Sequence, residues 1–151
     1  MNKIHMTWDE FDDDIADFTE YLKKLKFDKD SVILGLKRGG LPSAVALSNK
    51  LSIPISIVSF QTRDGDDTEP KFLEPEMIKN AEKIIIIDDI YDTGLTIEKI
   101  VNELDTQFDK SIENIAGLFH YGSLKLQESK LKYYRCIDTN GGFWVVFPWE
   151  S

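Results

Sequence analysis

The chain has 151 residues, which suits one domain with a self-sufficient core, and no second folded domain is expected within it. With 42% hydrophobic and 11% aromatic residues it is too apolar to be disordered. A formal net charge of −9 excludes a general nucleic-acid binder, so a phosphorylated ligand would need local basic groups, backbone amides or a divalent cation. The single cysteine, Cys136, can form no internal disulfide, and the opening MNKIHMTWDE lacks the apolar run of a secretory signal. An intracellular, cytoplasmic protein is expected. The most apolar stretch, Ile84 to Ile87, is far too short to span a bilayer, so no membrane partner is expected.

Thr7 followed by Glu10 makes a capping-box pattern, and Phe11, Ile15, Phe18, Leu22 and Leu25 recur at helical spacing behind it. An amphipathic helix is predicted there. SVILGL, Ser31 to Leu36, is a short apolar run stopped by KRGG, and LPSAVALSNKL reads as a helix with Pro42 in its first turn. ISIVSF, Ile55 to Phe60, is the next strand, whereas Gln61 to Pro75 has no apolar period and is predicted to be a long mobile loop. KIIII, Lys83 to Ile87, is a strand buried on both faces, and from Thr96 the positions Ile97, Ile100, Val101, Leu104 and Phe108 carry the helix period. NIAGLFHY from Asn114 and YYRCI from Tyr133 read as two further strands, and GGFWVVFPWE closes the chain with an aromatic cluster. This alternation predicts an α/β fold with a doubly wound, mostly parallel sheet, and ligands in such sheets bind beyond the carboxyl ends of the strands. KRGG, the Gln61 to Pro75 segment and DDIYDTGLT are all expected at such ends.

The segment IIIIDDIYDTGLTI, Ile84 to Ile97, is therefore a strand-to-helix junction. Unpaired amides and the helix dipole can hold a phosphate there, with Thr93, Gly94, Leu95 and Thr96 as the cradle. The Gly-Lys-Ser/Thr ending of a nucleoside-triphosphatase loop is absent. Asp88 and Asp89 can grip a diol or hold a magnesium ion, since hard cations prefer carboxylate and phosphate oxygens. Read alone, the same acids could simply end a strand while Asp92 or Thr93 caps the helix. Three carboxylates in five residues repel one another, which favours a cationic ligand.

IIIIDDIYDTGLT resembles the phosphoribosyl-diphosphate signature of type I phosphoribosyltransferases. MTWDEF, GLKRGGLPSAVALS and WVVFPWE are similar to stretches of the small microbial xanthine-guanine and hypoxanthine-guanine phosphoribosyltransferases. The resemblance implies the type I phosphoribosyltransferase fold as a single domain over residues 1–151, with 138–151 forming part of a small aromatic hood over the base. It implies that Asp88 and Asp89 meet the ribose hydroxyls and magnesium-bound diphosphate, and that Thr93 to Thr96 hold the 5-phosphate. Asp92 matches the acid that takes a proton from the purine. Lys37, Arg38, Gly39 and Gly40 match the diphosphate loop, often with a strained peptide before the arginine, and Arg63 or Lys71 could reach the diphosphate. Trp144 matches the aromatic that stacks on the purine, Val145 would hydrogen-bond its edge through the backbone, and Glu150 would contact a second magnesium.

Relatives place a lysine near the purine 6-oxygen, and in LFHYGSLK either His120 or Tyr121 falls at that place unless Lys125 folds back. The relatives' acid two residues after the stacking tryptophan is Val146 here, which motivates a lean toward hypoxanthine. The expected activity is transfer of phosphoribosyl from 5-phosphoribosyl 1-diphosphate to a 6-oxopurine with Mg2+ as cofactor. Transfer to another base, or a regulator that senses the activated sugar, stays open. The terminal aromatics Phe143, Phe147 and Trp149 suggest a homodimer or homotetramer.

Overall fold

The computed structural model describes residues 2–63, 67–139 and 143–150, with the side chains of 61–63, 67, 68 and 136 outside that description. In chain order it contains β1 (Asn2–His5), α1 (Trp8–Leu25), β2 (Ser31–Leu36), α2 (Leu41–Leu51), β3 (Ile55–Arg63), β4 (Asp67–Phe72) and α3 (Pro75–Asn80). It continues with β5 (Lys83–Tyr91), α4 (Leu95–Phe108), β6 (Ile115–Gly122), β7 (Lys132–Asp138) and β8 (Phe143–Val146). Six strands form the main sheet in the order β4-β3-β2-β5-β6-β7, parallel except for β4.

Ile84 to Ile87 are fully buried because they alternate between two cores. Ile85 and Ile87 pack with Phe11, Ile15 and Phe18 of α1 and Leu47 of α2, while Ile84 and Ile86 pack with Ile97, Ile100 and Leu104 of α4. Each such burial contributes about 1.5–3 kcal/mol, which explains why this strand has no polar face. Thr7 caps α1 as expected, accepting a hydrogen bond from the Glu10 amide while the Glu10 carboxylate accepts one from the Thr7 amide. The doubly wound sheet is thus built as predicted. Its central pair, β2 and β5, is the point at which the crossovers change face; KRGG leaves the sheet there after β2, while DDIY forms the end of β5 and the chain leaves the sheet at Asp92.

Gln61 to Pro75 is a correction. It contributes the end of β3 and the antiparallel strand β4, paired from Val58 with Phe72 to Arg63 with Asp67. Backbone pairing needs no apolar period, and β4 lies at the sheet edge, where Pro70 is tolerated. The intervening Asp64, Gly65 and Asp66 lie outside the described residues.

The hood differs from a purely C-terminal one. β8 pairs in parallel with β1, from Asn2 with Phe143 to His5 with Val146, so both chain ends build it. The terminal rings also find partners within the chain. Trp149 stacks on Phe147 with centroids 5.0 Å apart and meets Phe11 edge-on at 5.7 Å. These rings therefore give no reason of their own to expect a subunit contact. Among the described residues, no helix is long and apolar enough to cross a membrane.

Candidate active site

At the end of β2 the Lys37 amide donates to the Val58 carbonyl at 2.9 Å, and the Lys37–Arg38 peptide bond is cis. The loop then turns back through a Gly40 amide to Leu36 carbonyl hydrogen bond of 2.9 Å and enters α2. Gly39 lies against the Asp89 carboxylate, and a Cβ there would sit 2.2 Å from Asp89 Oδ2. A side chain there would have to displace that carboxylate, so the glycine lets the two predicted segments come into contact. Arg38 and Gly39 line a cavity of about 450 Å³ together with Asp89, Trp149 and Glu150.

Asp88 and Asp89 follow the buried isoleucines directly, and the Asp89 amide donates to Asp88 Oδ1 at 2.8 Å. Burial, reinforced by the adjacent Asp89 charge, pushes the Asp88 carboxyl well above the usual carboxylate range. Burial also raises Asp89, with a further contribution from the Glu150 charge. Hydrogen bonds from Asp88 and the Ile90 amide and the nearby His120 work against that rise. Glu150 is held close by the Phe147 amide, which donates to its Oε1 at 2.9 Å. Hard oxygen donors thus gather beside the Arg38 loop, the donor type that divalent ions prefer. Among the described residues no group of three or more His, Cys, Asp or Glu side chains could hold a metal ion.

The Thr93–Thr96 turn opens α4 with Gly94 as its N-cap in a left-handed conformation, φ 85°. The Leu95 amide donates weakly to Thr93 Oγ1 at 3.4 Å, and the Glu98 amide bonds the Gly94 carbonyl at 2.9 Å. Ser123, the residue after β6, braces the loop: its amide donates to the Tyr91 carbonyl at 2.9 Å and its hydroxyl donates to the Asp92 carbonyl. Beneath Gly94 the Tyr91 hydroxyl donates to Glu98 Oε1 at 3.0 Å; burial, helped by that bond, pushes the phenol up to about 12.

Asp92, Trp144 and Val145 meet in a second cavity of about 450 Å³, whose other walls include Ile90, Thr139 and Phe143. Trp144 is 59% exposed, Val145 is buried and Asp92 is exposed, so an accessible aromatic ring and an accessible carboxylate line the same cavity. Its volume suits a small-molecule ligand. Thr139, Ile90 and Phe143 were missed as cavity residues. Only the aromatic character of Phe143 could have flagged one of them.

Three readings from the resemblance need correction. Tyr121 is 1% exposed and packs edge-on to Phe147 and Phe143 at 5.7 and 6.4 Å, so it lies behind the cavity wall instead of on it. His120 is fully buried with both ring nitrogens engaged, and Lys125 lies away from the aromatic cavity, pairing with Glu128 at 3.6 Å. Val146 does not line the cavity; it pairs with His5 in the hood, so the motive for a hypoxanthine preference disappears. Lys71 lies exposed on β4, opposite Ser59, and the Arg63 side chain lies outside the described residues.

Residues 7–151 match the family described as the phosphoribosyl transferase domain. A xanthine-guanine phosphoribosyltransferase of Gluconobacter oxydans is 27% identical over 124 residues, covering 79% of this chain and 68% of that protein. An orotate phosphoribosyltransferase of Bacillus pumilus is 23% identical, covering 91% of this chain and 65% of that one. The crystal structure of a purine phosphoribosyltransferase from Pyrococcus horikoshii superimposes with a TM-score of 0.74 at 28% identity, covering 100% of this chain and 95% of that one. A fold, a paired-acid loop and a match over nearly the whole sequence agree: the chain belongs to the phosphoribosyl transferase domain family, and its enzymatic class is that of a glycosyltransferase.

Proposed function

We propose that the chain transfers the phosphoribosyl group of 5-phosphoribosyl 1-diphosphate to a ring nitrogen of a 6-oxopurine, releasing diphosphate and a nucleoside 5-monophosphate in the cytoplasm. The observation that carries this reading is the meeting, at the carboxyl ends of the central strands, of the Arg38–Gly39 loop, the Asp88–Asp89 pair and an aromatic cavity that also holds Asp92. The amides of Gly94, Leu95 and Thr96 and the Thr93 and Thr96 hydroxyls hold the 5-phosphate at the start of α4. The fixed charge of Arg38 and the amides of Gly39 and Gly40 stabilise the diphosphate as negative charge grows on it. Trp144 orients the purine by stacking, and the Val145 backbone bonds its edge. As the new C–N bond forms and the bond to diphosphate breaks, Asp92 takes the proton from the purine ring N–H. Asp88 and Asp89 would hold Mg2+ together with oxygens of the activated sugar, and Glu150 would contact a second ion; when bound, the metal neutralises diphosphate charge.

The test is diphosphate release from 5-phosphoribosyl 1-diphosphate and Mg2+ with hypoxanthine, guanine, xanthine, adenine and orotate as acceptors. Release confined to the 6-oxopurines is expected. One observation favours the second reading, a different base: no lysine lines the aromatic cavity among the described residues. Turnover with orotate or adenine alone would select that reading. Replacing Trp144 by Ala should raise KM for the accepted base roughly tenfold or more, with KM for the activated sugar little changed.

The raised carboxyls predict a stability effect. A carboxyl with a raised pKa in the fold favours its neutral form there, so its penalty enters as pH climbs above the unfolded value, about 3.9, and persists at neutral pH. Asp88→Asn should therefore melt at a higher temperature than the parent at pH 7 without ligand, and the gap should close as pH falls below about 4, where the Asp of the unfolded chain also becomes protonated. Equal melting temperatures at pH 7 would refute this. The same substitution should abolish turnover, a gain in stability at the expense of function.

A further inference from the structure

Behind the site, three polar side chains that the proposed chemistry does not use form a linear chain of hydrogen bonds. His120 Nδ1 donates to Asp14 Oδ2 at 2.6 Å, as the carboxylate can only accept, and His120 Nε2 lies 2.6 Å from Ser43 Oγ. Asp14 belongs to α1, Ser43 to α2 and His120 to β6. The connectivity is that of a serine nucleophile with its base and orienting acid. A nucleophilic role is nevertheless closed off, because Ser43 and His120 are fully buried and Asp14 is 8% exposed. No substrate reaches the hydroxyl.

The cluster carries a cost that packing alone would not justify, since an apolar trio of the same volume would bury more cheaply. Its position suggests what is gained. Ser43 lies in the first turn of α2, the helix that starts directly after the Lys37–Gly40 loop. Gly40 offers no side-chain cap to that helix, so the Ser43–His120 bond is the polar tie that fixes its start to β6. The His120 ring is itself clamped: Phe11 stacks on it at 5.5 Å, Phe18 lies at 5.2 Å, and Trp149 meets it at 6.2 Å. Trp149 then lines the cavity shared by Arg38, Gly39, Asp89 and Glu150. One imidazole thus touches the helix behind one wall of that cavity and a ring that forms another.

We infer that His120 is a positioning residue: through Ser43 it sets the start of α2, and with it the Lys37–Gly40 loop, at a fixed distance from the hood residue Trp149, with Asp14 holding the imidazole in register. Its functional consequence rests on the reading of that loop as the diphosphate site. Hydrogen exchange and ligand binding separate the two ideas. Ser43→Ala deletes one hydroxyl, and His120→Phe keeps a ring in the aromatic clamp while cutting both hydrogen bonds. In each variant, amide exchange of the 36–42 segment, where Gly40 bonds Leu36 and Leu41 bonds Arg38, should accelerate while α4 stays protected. Magnesium diphosphate, measured by calorimetry, should bind about five- to tenfold more weakly than to the parent. Unchanged exchange at 36–42, equal acceleration throughout the chain, or an unchanged affinity in a parent that binds diphosphate would each overturn the inference. Local acceleration beside a parent that binds no magnesium diphosphate would uphold the positioning and overturn the diphosphate reading of the loop.

Discussion

Replacing Asp92 by Asn should lower kcat by roughly 10²- to 10⁴-fold, the usual contribution of a positioned general base. The carboxylate is exposed in the aromatic cavity that also contains Trp144, and its loop is anchored by Ser123, the residue after β6. An amide of the same shape keeps the loop but cannot take a proton. The KM for 5-phosphoribosyl 1-diphosphate should therefore stay within about threefold of the parent, the signature of an interaction made only in the transition state. Steady-state kinetics with both substrates varied decide the matter. A variant that retains a tenth or more of the parental turnover would remove Asp92 from the chemistry, and a rise in KM alone would make it a binding group.

Gly94→Ala should damage both stability and phosphate binding. Gly94 has φ 85°, a conformation that costs a side-chain-bearing residue about 1–2 kcal/mol. The added methyl would also stand 2.2 Å from the Tyr91 hydroxyl. That ring has little room to retreat, being 3% exposed, bonded to Glu98 and packed on Phe119 at 5.3 Å. Overpacking of this kind adds about 1–3 kcal/mol, so the melting temperature should fall by roughly 5–15 °C in a domain of this size. Because the turn has to shift to relieve the clash, its amides lose their aim and KM for the activated sugar should rise at least tenfold. Parental values for both quantities would mean that the Thr93–Thr96 turn is neither strained at this glycine nor part of the phosphate site.

The parts of this protein readable from the sequence are those whose cause is local. Thr7 and Glu10 cap the first helix because they are three residues apart, and Ile84 to Ile87 mark a strand buried on both faces because nothing polar interrupts them. The acids and the Thr-Gly turn after that strand come directly from its junction with α4, so the order of the site's main loops was legible before any coordinates. Val145 and Trp144 stood out only through the family likeness, since an aromatic run alone reads equally well as core.

Tertiary structure decided what depends on residues far apart in the chain. β1 finds β8 across almost the whole sequence, and β4 exists because β3 offers it backbone partners, so no apolar period announced either. His120 illustrates the limit most directly. Beside Tyr121 in LFHYGSLK it passed for a residue facing the base, yet its partners, Asp14 and Ser43, lie 106 and 77 residues away and draw it into the core. Tyr121 was misread for the same reason, because the rings that cover it arrive from β8 and the chain's end. Periodicity records which face of an element is apolar. It carries no record of which distant side chain will meet that face, and that meeting decides whether a polar residue binds a ligand or braces the wall behind it.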